Sequence, residues 1–214
     1  MINTSAVAVT GLYAISPQTL TGTALIEAAE QVLEGGAAWL QYRAKDSADV
    51  GKARELAALC RSRGRCLIIN DDPALAAEVG ADGVHLGRAD GSIAEARALL
   101  GPDRIIGVSC YADPERARRL AGEGADYLAF GSLFASPTKP DAVSCPLAVL
   151  GEARKFGLPV VAIGGITLHN APEAIDAGAD LVAVISDLFD APDRRMRAAE
   201  YAAVLSASEA VQRR

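Results

Sequence analysis

The chain has 214 residues, half of them hydrophobic and only 5% aromatic, so aliphatic side chains must fill its core. Its length suits one domain, which we expect to span residues 1–214. The net charge is −6, the pI is near 5.0, and no basic run interleaves with aromatic residues, which argues against a nucleic-acid-binding surface. The residues before Glu27 have only short apolar stretches and no basic start, so we expect neither a targeting nor a membrane-spanning segment.

The cysteines are few and scattered. Cys60, Cys66, Cys110 and Cys145 form no CxxC pair, and no histidine lies at metal-ligand spacing from them. Since disulfides are rare in the cytosol, this pattern favours reduced thiols in a soluble, cytoplasmic protein.

Short apolar runs alternate with longer amphipathic runs along the chain. The apolar runs predict eight strands, at residues 9–16, 39–43, 66–70, 84–86, 104–109, 127–131, 159–163 and 181–185. The amphipathic runs predict eight helices, at residues 21–34, 47–61, 73–79, 92–100, 114–122, 147–156, 170–177 and 193–207. Strict alternation implies parallel strands joined by helical crossovers, and we predict the α/β fold of a single (β/α)8 TIM barrel. An open doubly wound sheet would have fewer strands and often a GxGxxG loop after the first, where this chain has Ser16-Pro17-Gln18-Thr19.

One turn pattern recurs before the predicted strands. Gly80-Ala81-Asp82, Gly124-Ala125-Asp126 and Gly178-Ala179-Asp180 each stand between a helix and a strand, and Gly36-Ala37-Ala38 is a weaker copy. Glycine can close a helix in the left-handed conformation, and the aspartate can bond the backbone of the turn. We interpret these turns as stabilising features at the amino-terminal end of the barrel.

Strand two carries two cations and an amide near its end. Side chains alternate along a strand, so Gln41, Arg43 and Lys45 share the face towards the barrel axis. The other face, with Leu40 and Tyr42, would contact the helices. Two cations and an amide suit a diphosphate or another polyanion, and a structural ion pair at the strand end is the alternative.

Two carboxylates follow the next two strands. Asp71 comes directly after strand three and Asp90 after strand four, and neighbouring strands lie roughly 4.8 Å apart. Two carboxylates at one point repel unless a proton or a cation lies between them, and Mg²⁺ accepts such ligands together with substrate oxygens. The alternative is that either aspartate caps the following helix, as Asp72 before Pro73 is placed to do.

Two further loops have the composition of anion sites. The long loop after strand six carries Ser136, Thr138 and Lys139, although it also has the composition of an ordinary Ser/Pro loop. Gly164-Gly165 follows strand seven, and Ile185-Ser186 follows strand eight. Loops seven and eight are the usual phosphate site of barrel enzymes, and glycines allow backbone N–H groups to approach an oxyanion.

The remaining polar candidates are few. Ser109 ends strand five with no general base evident beside it, so we expect it to bind a ligand by hydrogen bonding rather than to act as a nucleophile. His85 lies within strand four and is expected to be a satisfied internal group, and His169 is expected at the surface. The sequence therefore offers few residues for a catalytic triad or for a zinc site.

Taken together, the motifs resemble those of the thiamine-phosphate synthase family over nearly the whole chain. The segments that carry the resemblance are residues 41–45, 70–71, 83–90 (GVHLGRAD), 107–109, 136–139, 162–166 and 185–186. Members of this family join a hydroxymethylpyrimidine diphosphate to a thiazole phosphate and release diphosphate. The resemblance thus implies a transferase of thiamine biosynthesis that acts on small molecules, with neither nucleic acid nor membrane as partner; a homo-oligomer is left open.

The resemblance also implies roles for particular residues. Those expected to contact the pyrimidine diphosphate are Gln41, Tyr42, Arg43, Ala44, Lys45, Asn70, Ser109 and Lys139, with Arg43, Lys45, Ser109 and Lys139 as catalytic candidates. Those expected to hold the thiazole phosphate are Ser136, Pro137, Thr138, Gly165, Ile185 and Ser186. One Mg²⁺ is expected on Asp71 and Asp90.

Three positions depart from the commonest pattern of the family. Ala44 stands where an acidic residue is frequent, Tyr111 where histidine is frequent, and Ser136 where threonine is usual.

Two other functions compete with that of a synthase. A thiazole tautomerase would share the barrel but use a histidine in the loop after strand six, where this chain has Ser132 and no histidine. The second alternative is a non-catalytic barrel that binds thiazole phosphate or thiamine phosphate.

Overall fold

Eight parallel strands close into a barrel in which the order around the barrel is the order along the chain. The computed structural model describes residues 10–44, 48–135 and 145–212, with side chains described as far as residue 207. The strands are β1 Gly11–Ile15, β2 Trp39–Tyr42, β3 Cys66–Asn70, β4 Gly83–Leu86, β5 Ile105–Tyr111, β6 Tyr127–Phe130, β7 Val160–Ile163 and β8 Leu181–Val184. The last strand pairs with the first, so the sheet has no free edge. The predicted (β/α)8 barrel is confirmed.

Helices connect the strands on the outside of the barrel. Their bounds are α1 Gly22–Glu34, α2 Val50–Ser62, α3 Pro73–Val79, α4 Ile93–Leu100, α5 Pro114–Gly122, α6 Ala148–Ala153, α7 Ala171–Asp176, α8 Ser186–Phe189 and α9 Arg194–Gln212. The helix predicted at 147–156 ends early and continues as the 3₁₀ turn Arg154–Phe156. Helix α8 was not predicted, because four residues are too few to show a helical period. No helix in these described segments is long and apolar enough to cross a membrane.

Alternation along the strands divides the core into two layers. One face of each strand points to the axis, where Tyr13, Trp39 and Tyr127 form an edge-to-face aromatic group with ring centroids 5.3 to 6.2 Å apart. The other face packs against the helices, with Leu40 and Tyr42 among its buried residues. The prediction that Gln41 and Tyr42 point in opposite directions is therefore correct.

The recurring Gly-Ala-Asp turns lie at the amino-terminal ends of the strands, but their aspartates bond differently from the prediction. Gly80 closes α3 in the left-handed conformation, as expected. The Asp82 carboxylate, however, accepts the N–H of Leu67 in the neighbouring strand β3, at 2.8 Å. Asp126 and Asp180 do the same to strands β5 and β7, at 2.7 and 2.8 Å. Each aspartate thus joins its own strand to the preceding one, because an N–H near the start of the preceding strand needs an acceptor there.

Candidate active site

Strand β2 brings the first predicted ligand groups to the carboxyl-terminal end of the barrel. Gln41 is 3% exposed and points inwards, where its Nε2 donates to the Tyr13 hydroxyl at 2.8 Å. Arg43 follows the strand and is half-buried, and its backbone N–H is held by Ser16 Oγ at 3.0 Å. Tyr42 faces the helices, and its hydroxyl accepts the N–H of Asp49 at 3.1 Å. The order of the residues on β2 thus sets which groups are available at the rim.

A cleft opens at the rim beside these residues. Its volume is about 660 Å³, and its lining includes Tyr42, Ala44, Asn70, Asp71 and Asp90. All five were predicted as ligand or metal residues, and they come from the ends of three successive strands. The structure therefore brings these five residues together at one cleft, whereas its lining does not include Gln41 or Arg43.

Asp71 and Asp90 meet in this cleft. The pKa of Asp71 is raised to about 6, chiefly by burial and then by Asp90 as a hydrogen-bonding and negatively charged neighbour, while Arg43 and Asn70 oppose the shift. Asp71 also has a left-handed backbone (φ 65°), and its N–H donates to the His85 carbonyl at 2.8 Å. A left-handed aspartate costs free energy, and such residues collect at functional sites. These two carboxylates favour a cation between them.

The alternative role of helix capping belongs to the next residue. Asp72 begins α3, and its carboxylate accepts the N–H of Leu75 at 2.9 Å. Asp71 is not the capping residue, and it lines the cleft instead. Asp90 is fixed by the N–H of Gly87, which donates to Oδ2 at 2.8 Å. A Cβ at position 87 would overlap that oxygen, which explains the glycine in the GRAD segment.

The donor set suits a hard divalent cation. Within the described parts of the chain, no group of three or more His, Cys, Asp and Glu side chains is placed to hold a metal by itself. Two carboxylates with half-exposed surroundings leave coordination positions for water and for ligand oxygens, which is the arrangement that Mg²⁺ favours. Asp71 and Asp90 are therefore the residues that would hold it.

Ser109 has a partner that the sequence did not reveal. Its Oγ lies 2.9 Å from His85 Nε2, so the expectation of no base beside this serine is wrong. The other ring nitrogen, Nδ1, lies 2.9 Å from the Tyr127 hydroxyl. Burial lowers the pKa of His85 to about 4, so the imidazole is neutral at neutral pH. The prediction that His85 is a satisfied internal group agrees with these contacts.

The hydrogen bonds continue across the inside of the barrel. Tyr127 and Tyr13 lie with their hydroxyls 3.0 Å apart, and Tyr13 accepts from Gln41. Gly107 makes room for this chain, since a Cβ there would overlap the ring of Tyr127. Tyr13, Tyr127 and Gly107 were not predicted as site residues, although the alternation of side chains along β1, β5 and β6 indicates that they point inwards.

The residues on the opposite side of the rim are less polar. Ile185, like Ile163, packs against the inner core, and Ser186 is the exposed first residue of α8. Gly165 has φ 64°, and a Cβ there would overlap the carbonyl oxygens of Phe134 and Ala135. The glycine pair is therefore needed for close packing against the loop after β6, in addition to any role in binding an anion.

Tyr111 extends β5 beyond its predicted end. A bulge between Ser109 and Tyr111 shifts the register against β6, and Tyr111 has a left-handed backbone (φ 59°). Its half-exposed ring lies under the guanidinium of Arg88, with 5.0 Å between that group and the ring centroid. Tyr111 and Arg88 thus form a cation–π pair at the rim.

Five predicted residues cannot be placed. Lys45, Ser136, Pro137, Thr138 and Lys139 lie outside the described residues. The described part of the predicted thiazole-phosphate site is therefore limited to Gly165, Ile185 and Ser186. Their roles, and those of the other site residues, stay predictions.

The fold and the position of the polar groups define a β/α-barrel protein whose candidate active site is at the carboxyl ends of its strands, where barrel enzymes carry theirs. The family model described as thiamine monophosphate synthase matches residues 12–188. The chain belongs to this family, as its motifs predicted.

Relatives and solved structures agree with this assignment. The chain is 54% identical to the thiamine-phosphate synthase of Azoarcus sp. over 92% of its own length and 97% of the relative. It is also 54% identical to that of Thiobacillus denitrificans, over 89% and 92% of the two chains. The solved structure of thiamine phosphate pyrophosphorylase from Pyrococcus furiosus matches with a TM-score of 0.84 and 33% identity, covering 94% of this chain and 98% of that one.

Proposed function

We propose that this chain is a thiamine-phosphate synthase, which condenses 4-amino-2-methyl-5-(diphosphooxymethyl)pyrimidine with thiazole phosphate. The observation that carries the proposal is the pair Asp71 and Asp90 beside Arg43, in a family whose named relatives are synthases. A carboxylate pair beside a cation suits a metal-bound diphosphate better than it suits a neutral substrate.

The reaction exchanges one bond at the methylene carbon of the pyrimidine. The bond from this carbon to the diphosphate oxygen breaks, and its electron pair leaves with the diphosphate. The lone pair of the thiazole nitrogen forms the new C–N bond, which gives the positively charged thiazolium of thiamine phosphate. No protein nucleophile is required, which is consistent with Ser109 bonded to a neutral histidine.

The residues of β2 to β5 would bind the pyrimidine diphosphate. Arg43 donates to the diphosphate oxygens and stabilises the charge that develops on them, and Lys45 and Lys139 supply further positive charge in this proposal. Asn70 and Ser109 fix the position of the substrate by hydrogen bonds. When bound at Asp71 and Asp90, Mg²⁺ would neutralise the departing diphosphate.

The other side of the rim would bind the thiazole phosphate. Ser136, Thr138 and Ser186 offer hydroxyls, and Gly165 offers a backbone N–H near its left-handed turn. Loops after strands seven and eight are the usual phosphate site of this fold. Holding both substrates in line for attack would supply much of the rate enhancement.

Steady-state turnover with purified protein tests the proposal. With both substrates and Mg²⁺, we expect thiamine phosphate and diphosphate to appear in equal amounts. Interconversion of thiazole isomers without condensation would favour a tautomerase instead, although no described residue of the loop after β6 is a histidine. Binding of either ligand without any turnover would favour a non-catalytic binding protein.

We also propose that the protein acts in the cytoplasm. All four cysteines are free and buried, and burial raises the pKa of each thiol. Such thiols are inert and remain reduced, which suits a cytosolic enzyme of small-molecule metabolism.

A further inference from the structure

A continuous chain of side-chain hydrogen bonds crosses the inside of the barrel from β2 to β5. It runs from Gln41 to Tyr13, Tyr127, His85 and finally Ser109, with successive distances of 2.8, 3.0, 2.9 and 2.9 Å. Its two ends, Gln41 and Ser109, are both expected to contact the pyrimidine substrate. The three residues between them have no role in the reaction proposed above.

The donors and acceptors of this chain fix its direction. The Gln41 Nε2 can only donate, so the Tyr13 oxygen accepts and its own hydrogen is available for Tyr127. Tyr127 then uses its single hydrogen on His85 Nδ1. A neutral imidazole has one N–H, which must therefore be on Nε2, where it points at Ser109 Oγ.

The opposite direction leaves a buried group without a partner. If Ser109 donated to His85 and His85 to Tyr127, Tyr127 would have to donate to Tyr13. The Tyr13 hydrogen would then have no acceptor in the chain, although Tyr13 is 1% exposed. A buried polar group without a partner is costly, so the direction from Gln41 to Ser109 is preferred.

The surroundings keep every member in its protonation state. Burial raises the pKa of both Tyr13 and Tyr127, so both hydroxyls keep their hydrogens. The ring of His85 stacks on Tyr127 with an interplanar angle of 20°, which holds the imidazole plane. Gly107 leaves the space that the Tyr127 ring occupies.

We propose that this chain holds His85 in the Nε2–H tautomer and thereby makes Ser109 a hydrogen-bond donor to the pyrimidine substrate. Because Ser109 Oγ accepts from His85, its own hydrogen stays available on the half-buried side that faces the rim. Tyr127 and His85 are thus positioning residues for the reaction. The inference rests on the proposed function for the identity of the ligand, but the tautomer does not.

Nitrogen NMR of the imidazole rings tests the tautomer without any substrate. The chain has two histidines, so a sample labelled at histidine gives two sets of signals, and His169→Gln assigns them. At pH 7 we expect His85 to carry its hydrogen on Nε2. In Tyr127→Phe the acceptor Nδ1 loses its donor, and we expect the Nδ1–H form to become populated. A wild-type His85 protonated on Nδ1 would overturn the proposal.

A double-mutant cycle tests the consequence for catalysis. For Tyr127→Phe alone we expect kcat/KM for the pyrimidine diphosphate to fall about 5- to 10-fold, the size of one weakened hydrogen bond. In a Ser109→Ala background the same change should cost less than about twofold, because the effect passes through Ser109. Equal losses in both backgrounds would show that Tyr127 acts only on packing and would overturn the proposal.

Cys66→Ala is the matched control. It removes one heavy atom from the same inner core, where Cys66 is fully buried, and leaves the hydrogen-bond chain intact. We expect its kcat/KM to stay within about twofold of the wild type and its effects to be the same in both backgrounds. If the wild type made no thiamine phosphate at all, the proposed function would fail while the NMR result still stood.

Discussion

Aspartates at the two ends of the barrel have opposite surroundings. At the amino-terminal end, Asp126 accepts the N–H of Ile106 at 2.7 Å and pairs with Arg97 at 2.6 Å. At the carboxyl-terminal end, Asp71 faces a second carboxylate, and its pKa is raised to about 6. The same residue type is satisfied in one place and left in repulsion in the other.

The difference shows where the fold is stabilised and where it retains reactive groups. The aspartates at the amino-terminal end, Asp82, Asp126 and Asp180, join neighbouring strands by accepting backbone N–H groups. Asp71 and Asp90, at the carboxyl-terminal end, repel each other in spite of the nearby Arg43, and a cation from solution would relieve this repulsion. A barrel can keep such an unfavourable pair because the rest of its strands are fixed independently.

The largest expected effect is on turnover. Asp71→Asn and Asp90→Asn each remove a charge from the cation site, and we expect kcat/KM to fall by at least about 10²-fold at any practical Mg²⁺ concentration, since charge stabilisation at the departing group is lost. Neither change removes a described packing contact, so thermal unfolding of the metal-free proteins should not shift downwards. Full activity in either variant would contradict the assignment of the metal ligands.

The opposite outcome, a loss of stability without a loss of activity, is expected at the amino-terminal end of the barrel. Asp126→Ala leaves the Ile106 N–H without its acceptor and removes the ion pair of Arg97, and we expect the free energy of unfolding to fall by about 1–3 kcal/mol. At a temperature where the variant is folded, kcat/KM should equal that of the wild type. Asp103→Ala, at an exposed position, is the control and should change neither quantity. A loss of activity in folded Asp126→Ala would contradict the distinction between stabilising aspartates at the amino-terminal end and functional aspartates at the carboxyl-terminal end.

The third expected effect is that the contribution of Asp71 to stability depends on pH. The pKa of Asp71 is raised from 3.8 to about 6, so between these values the folded protein binds a proton that the unfolded chain has released. The contribution of Asp71 to stability is therefore complete below pH 4 and lost as the pH rises through 6, in metal-free protein. Denaturant unfolding of wild type and Asp71→Asn should show a difference that changes across this range and is constant above it. A difference independent of pH would contradict the raised pKa.

The smallest expected effect is a difference in stability between substitutions at two glycines near the amino-terminal end of the barrel. Gly124 has φ 97°, whereas Gly122 is the last residue of α5, and a Cβ at either position would meet no atom within 4 Å. Because only the backbone conformation differs, we expect Gly124→Ala to destabilise the protein by about 1 kcal/mol and Gly122→Ala to stabilise it by about 0.5 kcal/mol. Activity should be unchanged in both. Equal shifts in Tm would mean that the turn does not require glycine.

Local patterns predicted the barrel well. The bounds of β3, α3 and α5 match the prediction residue for residue, because Pro73 and Pro114 fix where two helices begin. The alternation on β2 correctly separated Gln41 from Tyr42, and the strand ends correctly brought Asp71 to Asp90. These features depend on a few neighbouring residues or on the general geometry of the fold.

Features that depend on register were missed. His85 and Ser109 lie on adjacent strands, but His85 is paired with Gly107, so the contact with Ser109 depends on the stagger of the barrel. The bulge that lengthens β5 to Tyr111 has the same origin. The aspartates of the Gly-Ala-Asp turns were placed correctly, but their acceptance of an N–H from the preceding strand requires the three-dimensional neighbour.

Calorimetric titration of the purified protein tests most directly whether Asp71 and Asp90 hold Mg²⁺ for a diphosphate. Inorganic diphosphate would be titrated into wild type and into Asp71→Asn, each with and without Mg²⁺. We predict that wild type binds diphosphate tightly only when Mg²⁺ is present, and that Asp71→Asn loses this Mg²⁺ dependence. Binding by wild type that is equally tight without Mg²⁺, or unchanged in Asp71→Asn, would contradict it.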